Sequence, residues 1–90
     1  MYTILDIDTN WSYNIEMYDN TPKYIVIYNK IKSDILSGKY QQNSFLPTED
    51  QLIEMHNASR TTIRKAIALL KEEKLIDVHQ GRGSKVIFQG

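Results

Sequence analysis

Ser59, Arg60, Thr61, Thr62 and Arg64 place five donor side chains within six positions of this 90-residue chain, with no acid among them. Each arginine offers a planar fork that matches the two acceptors on the major-groove edge of guanine. The hydroxyls, with the free amides of a helix start, suit phosphate oxygens. The competing reading is an ordinary solvated helix start. Against it, exposed first turns favour acids, and two arginines there oppose the helix dipole. An external anion would offset that local cost. A second signal is Arg82, the lone cation in Gln80-Gly81-Arg82-Gly83-Ser84. Small flanks let such an arginine approach a narrow minor groove, where negative potential concentrates. Taken alone, this run is better read as a generic hairpin turn. His56 and His79 lack the carboxylate and histidine spacing of a metal site and read as structural. No nucleophile has a plausible base, and no glycine loop cradles a phosphate. Neither an enzyme nor a cofactor is expected.

The elements that must position these residues follow from periodicity. Tyr24, Ile27, Tyr28, Ile31 and Ile35 recur at three- and four-residue spacings after Pro22, which predicts one helix ending at Gly38. Lys39 to Pro47 reads as a connector with one short strand near Phe45. Thr48 and Gln51 form a capping box that opens a second helix, and Asn57 closes it. Ser59 caps a third helix running to about Glu73, with Ile63, Ala66, Ile67 and Leu70 as its core stripe. Two short helices joined by a tight turn make a helix-turn-helix. The period then changes: Leu75, Ile76 and Val78 read as one strand, and Val86, Ile87 and Phe88 as another. The expected fold is α+β, mainly α: a winged helix-turn-helix of three helices followed by a two-stranded β-hairpin wing.

Composition sets the bounds. Ninety residues, 41% of them hydrophobic, make one small domain, and the absence of cysteine excludes disulfides and thiolate metal sites. No apolar run approaches the roughly 20 residues of a membrane span, and the start lacks a signal-peptide pattern. A cytoplasmic protein with no membrane partner is expected. The net charge of zero averages two unlike parts. Residues 1–20 carry four acids and no base, a charge of −4. Residues 21–90 carry all 11 basic residues and 7 acids, a charge of +4. The expected organisation is an acidic leader over 1–20 and a mildly basic DNA-binding module over 21–90. The leader's alternation around Tyr13, Ile15 and Met17 fits a strand, and a loosely ordered, partly disordered segment fits equally well.

Four motifs in order resemble the GntR family of bacterial regulators, over residues 22 to about 88. Pro22-Lys23-Tyr24 with Ile35-Leu36-Ser37-Gly38-Lys39-Tyr40 looks like the family's first helix and its ending. Leu46-Pro47-Thr48-Glu49 is similar to its second-helix opening. Ser59-Arg60-Thr61-Thr62-Ile63-Arg64-Lys65-Ala66 looks like its recognition helix. Leu75-Ile76 followed by Gln80 to Ser84 looks like its wing, most of all that of the HutC-like branch. In that branch a separate ligand-sensing domain follows.

The resemblance implies a transcriptional regulator, of the repressor kind, binding a palindromic double-stranded DNA operator as a homodimer. Family sites commonly have a GT…AC core. Arg60 and Arg64 would read guanines, Thr61 and Thr62 would hold phosphates or nearby bases, and Gly81 would enter the minor groove. The candidate contact set is Thr48, Glu49, Ser59, Arg60, Thr61, Thr62, Arg64, Lys65, Gln80, Gly81, Arg82 and Gly83. A small-molecule effector is expected on the domain that follows, which makes this chain one domain of a longer regulator. The chain departs from the family at Asp50, where arginine is common, and at Asn57 and Lys74, where glycine is usual. Leu69 stands at a usually polar position, and that predicts an exposed apolar spot against which the leader packs. The alternative function is a winged helix that binds protein, using Leu69 and the aromatic leader.

Overall fold

A computed structural model describes residues 20–89 as α1 (Lys23–Leu36), α2 (Glu49–His56), α3 (Arg60–Glu72), β1 (Ile76–His79) and β2 (Gly83–Val86). The leader and its packing on Leu69 lie outside the described residues, and Leu69 itself is half-buried. Helix α1 starts without a side-chain cap. The carbonyl of Pro22 instead accepts from the amides of Ile25 and Val26, at 3.0 and 3.3 Å. Ile27, Ile31 and Ile35 bury the expected face, and Tyr24 and Tyr28 flank it half-buried. Asp34 is buried beside them, with Lys30 at 3.4 Å and Lys39 at 3.8 Å from its carboxylate. The helix ends where Gly38 turns left-handed, at φ 89°.

Both caps of the helix-turn-helix have the expected chemistry. The Gln51 amide donates to Thr48 Oγ1 at 3.1 Å, and the Thr48 amide donates to Gln51 Oε1 at 2.8 Å. Two otherwise unpaired amides of α2 are satisfied at once. Asn57 takes the left-handed conformation at φ 49°. Two residues later Ser59 Oγ accepts from the Thr62 amide at 3.1 Å, so α3 begins almost where α2 ends. Ile63, Ala66 and Leu70 of α3 are wholly buried, whereas Ile67 is only half-buried at the edge of the stripe. These residues meet Ile27, Ile31, Ile35, Leu46, Leu52, Leu75, Ile76 and Val86 in one core.

The wing is an antiparallel pair in which Ile76 faces Val86 and His79 faces Gly83. Its second strand therefore differs from the expected one: it runs Gly83–Val86, not Val86 to Phe88. The Gln80-Gly81-Arg82 turn, closed by the Arg82 amide donating to the His79 carbonyl at 2.8 Å, fixes the register. Because β1 begins at Ile76, the ladder ends with Val86. Beyond it the amides of Ile87 and Phe88 both donate to the Leu75 carbonyl, at 3.0 and 3.3 Å. Gly83 and Ser84, expected in the tip, are the first strand residues of β2. The outer edge of β2 is covered by the connector, through the Phe45–Lys85 bridge and the Leu46 amide donating to Ser84 at 2.9 Å. Pairing that edge removes a template for aggregation.

Candidate nucleic-acid interface

The first turn of α3 stands against the first turn of α2, and this crossing decides the electrostatics of the site. Arg60 and Arg64, four residues apart and so on one helix face, both reach Glu49, the first residue of α2. Arg64 donates from Nε to Glu49 Oε2 at 2.7 Å and from Nη2 to Oε1 at 3.2 Å. Arg60 donates from Nη1 to Glu49 Oε1 and from Nη2 to Asp50 Oδ1, the latter at 2.8 Å. The two guanidiniums hold the Glu49 carboxyl below the usual carboxylate range, Arg64 contributing most. Asp50 and then Glu49 raise Arg60, and Glu49 raises Arg64. The acids also sit at the positive end of α2, where the backbone amides favour them.

This corrects one step of the sequence argument. The arginines do oppose the dipole of α3, but the compensating anions come from within the chain, 10–15 residues upstream. The arginines nevertheless remain open to a ligand, at 50% and 67% side-chain exposure. Each guanidinium has five N–H donors. Among the described residues two are engaged on each side chain, which leaves three, enough for a bidentate pair with a further acceptor.

A groove of about 530 Å³ runs between the start of α2, the outer face of α3 and the wing. It brings Thr48, Glu49 and Arg64 together with Gln80, Gly81, Arg82 and Gly83, and Arg60 joins through Glu49. Ser59, Thr61, Thr62 and Lys65 do not line it. Ser59 and Thr62 are tied by a hydroxyl bond of 2.9 Å at the helix start. Thr61 is exposed. Lys65 turns to α1, its ammonium 5.4 Å from the Tyr24 ring centre. Arg82 is exposed and has no side-chain ion pair or hydrogen bond among the described residues. Gly81 holds φ at 80°, a backbone state that a side chain would strain.

Among the groove residues outside the candidate set are Lys71 and Ala68, which the sequence reading passed over, and His79, which it took as structural. Helical spacing would have found the first two, because Arg64, Ala68 and Lys71 follow one another at four and three residues. His79 packs edge-on to Phe45 with ring centres 6.1 Å apart, a contact between distant segments that no local pattern announces. Asp50 also stood outside the candidate set, although its carboxylate touches Arg60.

Three helices, a tight α2–α3 turn and a hairpin sharing a cationic groove with α3 define a winged helix-turn-helix domain. Residues 23–86 match the sequence profile of the bacterial regulatory proteins of the gntR family. The chain belongs to the GntR family. It is 43% identical over 67 residues to YurK, an uncharacterized HTH-type transcriptional regulator of Bacillus subtilis (strain 168), covering 74% of this chain and 28% of YurK. A probable fructoselysine utilization operon transcriptional repressor of Escherichia coli (strain K12) is 35% identical over 74 residues, covering 82% of this chain and 30% of the repressor. Less than a third of either relative is thus spanned by this chain. The crystal structure of the DNA-binding domain of AraR in complex with operator ORE1 superposes with a TM-score of 0.74 at 34% identity. That match covers 84% of this chain and 93% of the AraR domain.

Proposed function

We propose that this chain is the operator-reading domain of a cytoplasmic bacterial repressor of the HutC-like branch. It binds a palindromic DNA site as a homodimer, under control of a small-molecule domain that follows the wing. The observation that carries this reading is the pair of exposed arginines on α3 beside a groove that the wing closes with a further arginine, one without an ion pair among the described residues. The likeness to an operator-bound AraR domain supports it. In this reading Arg60 and Arg64 take guanine edges in the major groove. Ser59, Thr61, Thr62 and the free amides of α3 hold phosphates. Arg82, carried on the Gly81 turn, enters the minor groove. Glu49 keeps both arginines ordered before DNA arrives, so less side-chain freedom is lost on binding. Among the described residues no helix is long and apolar enough to cross a membrane.

The second reading is a winged helix that docks on protein. It is favoured by the neutralisation of Arg60 and Arg64 by Glu49 and Asp50. A salt titration of duplex binding separates the two. Phosphate contacts release counterions, so the logarithm of the binding constant falls steeply and linearly with the logarithm of salt. A flat salt response, or no binding to any duplex, rejects the DNA reading.

A further inference from the structure

The acidic side chain next to Arg60 has a geometry that structural support alone does not require. Asp50 is the second residue of α2, and its side chain is 82% exposed. One oxygen, Oδ1, accepts from Arg60 Nη2 at 2.8 Å. The other has no hydrogen bond or ion pair among the described residues. Glu49 already anchors Arg60 through Nη1, so Asp50 is a second anchor with an oxygen to spare. The spare acceptor lies beside the guanidinium that stands first on α3, at the end of the helix that enters the groove.

We propose that Asp50 is a specificity-determining residue that accepts a hydrogen bond from the exocyclic amino group of a cytosine, within one base step of the guanine bound by Arg60. The proposal rests on the operator-reading function given above. An ionised carboxylate only accepts hydrogen bonds, and it is repelled by phosphate. The base edge it can meet in the major groove must therefore present an amino donor, and only cytosine N4 and adenine N6 do so. Adenine sets the N7 acceptor next to its amino group, which faces a carboxylate with a lone pair. Cytosine has no such neighbour. The reach is short because Asp50 is hydrogen-bonded to the same side chain that reads the guanine. Arg60 keeps three donors after its bonds to Glu49 and Asp50, so both contacts can form together. Asp50 thereby links a guanine and a cytosine into one recognition step, and its negative charge disfavours non-specific binding to phosphate.

Binding-site selection from a pool of random-sequence duplexes tests this, using the 90-residue chain, Asp50→Ala and Asp50→Asn. The wild-type chain is expected to enrich a half-site with a guanine and, within one step, a cytosine. Replacing that cytosine should weaken wild-type binding about tenfold. Asp50→Ala should keep the guanine and lose the cytosine preference, with less than about a twofold effect of the same base change. Asp50→Asn should shift the preference to adenine, because an amide matches both N6 and N7. Identical preferences in all three proteins would overturn the proposal while leaving the operator-reading function intact. Loss of the guanine together with the cytosine in Asp50→Ala would also overturn it, since Asp50 would then act only by positioning Arg60. If the wild-type chain enriches no sequence, the operator reading fails first and the proposal with it. Because Asp50 is solvent-exposed, circular dichroism melting of each variant is expected to confirm an unchanged fold.

Discussion

Replacing Lys74 by glycine should stabilise the domain at the junction between the recognition helix and the wing. Lys74 follows α3 with φ at 63°, the left-handed region. Its amide donates to the Lys71 carbonyl at 3.0 Å, and the Leu75 amide donates to Leu70 at 3.1 Å. The left-handed turn therefore closes the helix and delivers Leu75 and Ile76 to the core. A residue with a Cβ is held there at a cost of about 1–2 kcal/mol. Glycine removes that strain but gains freedom in the unfolded chain, which returns roughly 0.5–1 kcal/mol. The net gain is about 0.5–1 kcal/mol. In a domain of this size that raises Tm by about 2–8 °C. Thermal unfolding by circular dichroism measures it, with Lys74→Ala as the control that keeps the Cβ. A glycine variant melting no higher than the alanine variant would show that the left-handed turn carries no strain. DNA affinity should be equal in all three, because the hydrogen bonds that set the turn do not involve the side chain.

Arg60→Ala and Arg64→Ala should each weaken binding to the selected site by about 5- to 150-fold and to random duplex by less. Fluorescence anisotropy on both duplexes checks this, and equal losses would assign the arginines to phosphate. Arg82→Ala should leave Tm unchanged, since the side chain has no partner among the described residues, and should lower the salt slope by roughly one counterion. An unaltered slope would remove the wing tip from the interface. Glu49→Gln tests the clamp by pH. Glu49 is held below the usual carboxylate range by Arg64 and then Arg60. Its stabilisation is therefore fully present above the unfolded carboxylate pKa and is lost as pH falls through its own lower pKa. Wild type should melt above Glu49→Gln at neutral pH, and the gap should close on acidification below about pH 4. A gap that does not change with pH would mean that the charge of Glu49 contributes nothing.

The sequence by itself determined whatever is encoded within a few residues. Thr48 with Gln51, and Ser59, set the starts of the second and third helices through bonds spanning three positions. Gly38 and Asn57 set two helix ends through backbone angles that few residues tolerate. The apolar spacing of Ile27, Ile31 and Ile35, and of Ile63, Ala66 and Leu70, fixed the buried faces because helical period alone decides which side chains share a face. The capped, donor-rich start of α3 and the Gln80-Gly81-Arg82 turn were legible for the same local reason. Only the tertiary structure decided how these parts meet. The clamp of Glu49 and Asp50 on Arg60 and Arg64 joins residues 10–15 apart and exists because the α2–α3 crossing sets two helix starts side by side. The second strand ends at Val86 because the partner strand starts at Ile76, a limit that no apolar pattern in Val86-Ile87-Phe88 can express. Buried Asp34 has Lys30 and Lys39 as ion-pair partners, the latter from beyond the helix end, and Phe45 joins the wing through a bridge to Lys85. A local pattern states what each side chain offers. Which partner accepts the offer depends on packing between distant segments.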